Sequence, residues 1–291
     1  MRIAFLITCH KNADQINVLT ERLSSCGDDV YIHVDKKSTL DRTKLVVGDH
    51  VKLLTKEESI TVGWAEFSQC EATLALIRLA LSSGIEYDYI WLLSGQDFPI
   101  KSMAEIRNVL SQDLSVPYID VIPREKVERL AFDKRNDLAH PMCLIGKKPY
   151  QRVLRRVWYL LSGGKRKTWF LFQKARPVEQ LHYGSSWWCL PCDCVKQMMV
   201  FLELTDGYNR YFSSSLCSDE SFFQTLFMQT DYAGRQVGNR TYIDWSKGES
   251  SPKTFTKEDY PTLSNLPQRY LLARKVDFAT DPELAELLKN I

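Results

Sequence analysis

Apolar and polar positions in the first hundred residues switch between two periods. Ile3 to Thr8 is a continuous apolar run of strand length, and Ala13 to Leu23 repeats its apolar positions at helical spacing. Val30 to Val34 is a second strand-like run, closed by Asp35-Lys36-Lys37-Ser38. Phe67 to Leu81 carries apolar residues at 70, 74, 76, 77, 80 and 81 and predicts a helix. Tyr89 to Leu93 predicts another strand, ending at Ser94-Gly95-Gln96-Asp97. This strand–helix rhythm predicts an α/β fold with a mixed, mainly parallel central sheet flanked by helices. In such sheets ligands bind beyond the carboxyl ends of the strands, where His33-Val34-Asp35-Lys36 and Gly95-Gln96-Asp97 fall.

The second half has a different texture. Gly146 to Val178 holds ten Lys or Arg and no acidic residue, interleaved with Trp158, Tyr159, Trp169, Phe170 and Phe172. It is either a solvated helical face with its apolar side packed down, or a basic amphipathic flap. A flap of that kind would rest peripherally on an anionic membrane or grip a phosphate-bearing acceptor. Tyr183-Gly184-Ser185-Ser186-Trp187-Trp188 is aromatic-rich. Ser218-Asp219-Glu220-Ser221 reads as a helix start, with Ser218 as the cap, acids favoured by the dipole, and the helix running to about Gln229. Tyr242-Ile243-Asp244-Trp245, a polar loop from Ser246 to Thr254 and an amphipathic helix from Asp281 to Asn290 follow. With no repeat or interdomain linker, residues 1–291 read as one domain. Residues 1–120 and 121–291 differ in texture, and the family that the chain's motifs resemble implies a nucleotide-binding role for the first half and an acceptor and catalytic role for the second.

Composition adds mainly exclusions. The chain has 291 residues, 44% hydrophobic and 25% charged, and its net charge of +2 gives no argument for nucleic acid as a partner. Met1 to Thr8 is too short to span a bilayer and reads as a first strand, with no room for a targeting segment before it. On that reading the protein is cytoplasmic, peripheral at the inner face of the membrane if the flap binds there, and its eight cysteines are reduced. Cys189-Leu190-Pro191-Cys192-Asp193-Cys194 has the look of a metal knuckle but lacks a second ligand pair at suitable spacing, so buried structural thiols are expected.

Five stretches together resemble one family. Tyr31-Ile32-His33-Val34-Asp35-Lys36-Lys37-Ser38 is similar to the first signature of the core-2/I-branching β-1,6-N-acetylglucosaminyltransferases, which include the protein xylosyltransferases. Trp91 to Lys101, Gly184 to Trp188, Ser218 to Phe223 and Leu272 to Asp277 resemble the following four, in the family's order. The resemblance implies a GT-A-type fold, a UDP-sugar donor carrying GlcNAc or xylose, inversion at the anomeric carbon, and no cofactor or divalent metal. No Asp-x-Asp pair, the usual GT-A metal motif, occurs in the chain.

Carried over residue by residue, the resemblance makes Glu220 the general base. It puts Asp35 on the nucleotide, Ile7 beside it through backbone atoms, and Trp64 over the base. Asp97 either touches the donor or braces the site. Arg274 and Lys275 meet the diphosphate, with Lys253 as a second cation, since a leaving diphosphate needs its charge neutralised. Trp187, Trp188 and Trp245 are candidates to stack on an acceptor sugar or to sit in the core, with Arg124 and Glu128 as polar acceptor contacts. Asp219 is expected to be structural. Ala273-Arg274-Lys275 is closer to the xylosyltransferase side. The branching enzymes are anchored in the Golgi and disulfide-linked, and this chain reads as departing from them in both respects. A bacterial-type cytoplasmic relative is therefore expected, building a surface polysaccharide on a lipid carrier with a glycan or glycolipid as acceptor. Two other functions compete: a nucleotidyltransferase of similar architecture, and a catalytically silent carbohydrate-binding protein.

Overall fold

Three strands, β1 (Ile3–Cys9), β2 (Asp29–Val34) and β4 (Tyr89–Ser94), form the centre of the molecule because both of their faces are covered. A strand buried on both sides reads as an unbroken apolar run, as these do. Ala4, Leu6, Tyr31, Ile90 and Leu92 enter one hydrophobic cluster, while Ile3, Phe5, Ile7, Ile32, Trp91 and Leu93 enter the other. In this computed structural model the described residues are 1–122, 126, 135–146, 148–163, 173–246, 248 and 251–291.

Short β3 (Val51–Leu53) extends the sheet to the order β3-β2-β1-β4-β7-β6. The first four strands are parallel, and β7 (Trp188–Pro191) runs antiparallel to β4 and to β6 (Tyr118–Ile119). The expected mixed, mainly parallel α/β architecture is therefore present, and its sheet interleaves strands from early and late in the chain. A second, three-stranded sheet joins β5 (Asp97–Pro99), β9 (Leu272–Arg274) and β8 (Thr241–Ile243) in the order β5-β9-β8. It brings the chain's last strand next to the end of β4.

The predicted early elements match within one residue: helices Ala13–Ser24 and Ser68–Leu81 stand where their periodicity placed them. The C-terminal helix is Pro282–Lys289, with the Asp281 carboxylate accepting from the Leu284 N–H at 2.9 Å. Helix Met103–Ser111 carries a capping box, Ser102 with Glu105, that the pattern reading passed over. The cysteine tract is not a knuckle: Cys189 lies in β7, Cys192 and Cys194 open helix Cys192–Leu204, and all three are buried.

The acidic tract departs from expectation. Cys217 adopts a left-handed conformation (φ 56°), Ser218–Glu220 forms a single 3₁₀ turn, and the helix proper is only Phe222–Phe227. Ser218 does not cap it; fully buried, its hydroxyl takes the Cys70 thiol at 3.9 Å. What holds the turn is the aromatic cluster beneath it. Phe222 has no exposed surface and packs against Phe67, Tyr208, Phe212 and Phe223 with ring centroids 4.9 to 5.3 Å apart. Phe222→Ala is expected to lower unfolding free energy by about 3–5 kcal/mol, the usual cost of truncating a buried phenylalanine, measured by denaturant titration. A loss under about 1 kcal/mol would mean that the cluster repacks and does not anchor the turn.

Candidate active site

His10 follows β1 and Gln96 follows β4, and both line a cleft of about 1180 Å³ at the carboxyl ends of the parallel strands. The opposite walls come from Asp120 to Ile122, Tyr183 to Trp187 and Gln236 to Thr241. A notch of about 140 Å³ shares His10, Gln69, Gln96, Trp187 and Arg274 with the cleft and adds Asp35 and His33. Asp35 Oδ1 accepts the backbone N–H groups of Val62 (3.1 Å) and Lys37 (3.2 Å), so the loop after β2 is pinned around this carboxylate. His33 is buried, and its Nε2 accepts the Ile60 N–H at 2.8 Å. Burial pushes the His33 imidazolium down to about 4, which leaves the ring neutral at pH 7.

Glu220 lines the cleft, and its Oε2 takes Arg135 Nη1 at 2.8 Å. Desolvation, then repulsion from Asp219, raises its carboxyl above the ordinary glutamate value; Arg135 and a hydrogen bond with Tyr183 oppose that rise without cancelling it. Its carbonyl accepts the Gly184 N–H at 2.9 Å. Only glycine fits at 184, because a Cβ there would lie 1.7 Å from the Asp120 carbonyl oxygen. The close approach of these two loops seats the Glu220 turn against the cleft wall. Asp219, also in the wall, takes the Ser186 hydroxyl at 2.7 Å, and burial raises its carboxyl as well.

The cationic side is built through Asp97. This carboxylate has no exposed surface, accepts the Ser94 N–H at 2.6 Å and holds Arg274 Nη1 at 3.0 Å. Arg274 also bonds the Ser94 hydroxyl and lies over the Trp187 ring, 4.2 Å from its centroid. Asp97 itself lines neither the cleft nor the notch. Lys275 lines the cleft, with Nζ on the Ser251 hydroxyl at 2.7 Å.

Several expected residues stand elsewhere. Ile7 is fully buried mid-strand, paired with Ile32 and Leu93, and lines neither cavity; Thr8 and Cys9 at the end of β1 line the notch, and His10 just beyond the strand lines both notch and cleft. The run Ile3–Cys9 is simply longer than the strand assumed for it. Lys253 is tied to Asp259 at 2.5 Å and is not a wall residue; Ser251 and Pro252 are. Trp188 is 1% exposed in β7 and belongs to the core, whereas Trp187, in the segment just before the strand, lines the cleft. Trp64 and Trp245 do line the cleft, exposed by 39% and 55%. Arg124 and Glu128 lie outside the described residues, as does part of the basic stretch, 147 and 164–172. Within the rest of that stretch, Arg176 turns inward to Asp137 at 2.5 Å and Lys174 to the Tyr211 carbonyl at 2.6 Å.

Sequence reasoning placed Gln96 at a ligand-facing strand end without giving it a role, and it missed His10, Arg135, Tyr183, Asp120 and Asn239. His10 could have been found from the same strand-end rule; Arg135 sits in a segment without periodicity and offered no signal. Among the described residues no group of three or more His, Cys, Asp or Glu is placed to hold a metal ion.

Residues 3–264 match the family model described as Core-2/I-Branching enzyme. The chain belongs to that family. The matched span includes Asp35 and Glu220 but stops short of Arg274 and Lys275, which β9 brings into the cleft. Xylosyltransferase oxt of Drosophila melanogaster is 25% identical over 302 residues, covering 95% of this chain and 32% of that protein. The beta-1,3-galactosyl-O-glycosyl-glycoprotein beta-1,6-N-acetylglucosaminyltransferase 4 of Danio rerio is 27% identical over 141 residues, 47% of this chain and 32% of that one. The chain thus spans about a third of the length of these curated relatives. A crystal structure of an active-site mutant of LgtC aligns over 94% of this chain and 86% of its own at 11% identity and a TM-score of 0.38, too slight a likeness to carry weight.

The raised Asp219 carboxyl has a consequence for stability. A carboxyl raised on folding stabilises the fold below its unfolded value, and that contribution is lost as pH climbs through the folded one. Asp219→Asn should therefore raise the denaturation midpoint at pH 7, with the gain shrinking as pH falls through the raised folded value and gone below the ordinary aspartate range. A variant less stable than wild type at pH 7 would show that the charged form is favoured there.

Proposed function

We propose that the protein is a metal-independent, inverting glycosyltransferase of GT-A type, moving GlcNAc or xylose from a UDP-sugar to a hydroxyl of a glycan or glycolipid. One observation carries this reading: a carboxylate with a raised pKa, Glu220, shares one cleft with the two cations Arg274 and Lys275. Membership of the core-2/I-branching family supports it, as do the names of the xylosyl- and N-acetylglucosaminyltransferase relatives.

Glu220 takes the acceptor hydroxyl's proton as that oxygen bonds to C1 of the donor sugar. The C1–oxygen bond to UDP breaks on the opposite face, inverting the centre, and the electron pair leaves with UDP. A raised pKa makes the Glu220 carboxylate a stronger base toward the acceptor hydroxyl. Arg135 and Tyr183 hold the carboxylate in place. Arg274 and Lys275 meet the diphosphate as its charge grows, a task a divalent metal performs where an Asp-x-Asp pair is present. Arg274 is suited to it because Asp97, Ser94 and Trp187 fix its plane before the donor arrives. The notch at Asp35 takes the uracil, with Trp64 beside it. Trp187 and Trp245 offer flat apolar surface to the acceptor sugar.

Glu220→Gln should lower transfer by about 10²–10⁴-fold, the range for a lost general base, with UDP affinity unchanged by calorimetry. Transfer near the wild-type rate would remove Glu220 from this role. Because only the deprotonated form is active, the acid limb of the wild-type rate profile should lie above the ordinary glutamate range. Lys275→Ala should weaken UDP binding about tenfold or more, as expected for one charge-assisted contact. UDP binding and transfer should both survive EDTA; loss of either would overturn metal independence, and no UDP binding at all would favour the silent carbohydrate-binding protein.

A further inference from the structure

Helix Pro149–Leu161 packs against the chain through Gln151, Arg155, Trp158 and Tyr159. Arg155 donates to the carbonyls of Leu144 (2.6 Å) and Gly146 (2.9 Å), and Gln151 to those of Cys143 and Ile145. Trp158 Nε1 donates to the Ala139 carbonyl at 2.9 Å, and Tyr159 packs against buried Leu138. The outer side carries Tyr150, Val153, Leu154, Val157, Leu160 and Leu161, which among the described residues are 44–76% exposed. Their three- and four-residue spacing lines them up as one stripe along the helix. A surface helix ordinarily buries such a stripe; here the stripe faces out, and a continuous exposed apolar strip of this kind marks an interaction surface.

Charge decides what covers it. Lys148, Arg152 and Arg156 are exposed, and at 100° per residue both arginines fall along one flank of the stripe. The chain has no acidic residue anywhere from 146 to 178. A second copy docking stripe to stripe would bring these cationic flanks together with nothing of opposite sign on this element. An anionic bilayer surface offers both partners at once: acyl chains for the stripe and headgroup phosphates for the cations.

We propose that helix Pro149–Leu161 lies in the headgroup plane of an anionic lipid surface, with its apolar stripe inserted and Lys148, Arg152 and Arg156 on the phosphates. Trp158 and Tyr159 fasten the helix to Leu138 and Ala139, a few residues along from Arg135, which pairs with Glu220. Docking would therefore set the Glu220 wall of the cleft close to the lipid surface. The inference does not rest on the proposed reaction, because lipid binding and UDP binding are measured separately.

Sedimentation with phosphatidylcholine vesicles, with and without phosphatidylglycerol, tests it. Wild type should pellet with the anionic vesicles, release as salt rises, and stay soluble with phosphatidylcholine alone. Leu154→Ser with Leu160→Ser, and separately Arg152→Glu with Arg156→Glu, should each weaken binding at least tenfold with UDP binding and melting temperature unchanged. Val200→Ser with Leu204→Ser, at exposed apolar positions elsewhere, should bind as wild type. No binding to anionic vesicles, or wild-type binding by the Leu154/Leu160 variant, would overturn the proposal. So would a concentration-dependent dimer in size-exclusion chromatography that the same variant abolishes, which would assign the stripe to a second copy.

Discussion

Asp97 is a full negative charge held where water does not reach it, and the cleft is organised around that constraint. An isolated buried carboxylate is costly, so it must be met by donors of good geometry; here these are the Ser94 N–H and the Arg274 guanidinium. Satisfying it has three structural effects. It fastens the end of β4 to β9, and with them the large sheet to the small one. It fixes the plane of Arg274. It also sets Trp187, through the guanidinium above its ring, between the notch and the cleft. Removing either partner would leave the other uncompensated.

Glu220 is governed by the opposite balance. Its carboxyl is stabilised by Arg135 and Tyr183 but loses more through desolvation and the adjacent Asp219, so the charged form sits higher in energy than in water. Two acids side by side on a 3₁₀ turn are a poor arrangement for stability. The chain tolerates them because Phe222 and its aromatic neighbours clamp the turn from below, while Gly184 lets the neighbouring loop close to within backbone contact. Strong apolar packing beside a strained pair of charges is the pattern expected where a site draws on stability held elsewhere in the fold.

Legibility followed locality. Strands β1, β2 and β4 and the helices Ala13–Ser24 and Ser68–Leu81 were readable because burial on both faces of a sheet, or on one stripe of a helix, prints a period into the chain. Asp35 and Glu220 were readable as candidates because their flanking residues resemble a family. Strands β6 to β9 are two to four residues long, too short to show a period, and they pair with strands far away in the chain. Trp187 and Trp188 were indistinguishable in sequence, yet Trp187 lies beneath Arg274 at the cleft while Trp188, the first residue of β7, packs against Phe223 in the core. Lys253, expected as a second cation beside Lys275, is held by Asp259, a pairing that nothing in the local pattern announced.

The sequence by itself determined the fold class, the strand ends at which a ligand site must lie, the family, and the residue types from which a donor and acceptor site would be drawn. Those follow from periodicity and local pattern, which are properties of neighbours along the chain. Tertiary structure alone decided which side chains meet: Arg135 with Glu220, Asp97 beneath Arg274, Lys275 in the cleft and Lys253 out of it, and the apolar side of helix Pro149–Leu161 turned outward. These are contacts between residues 6, 85 and 177 positions apart, or a choice of face, set by how charges find partners and by which surface is left uncovered.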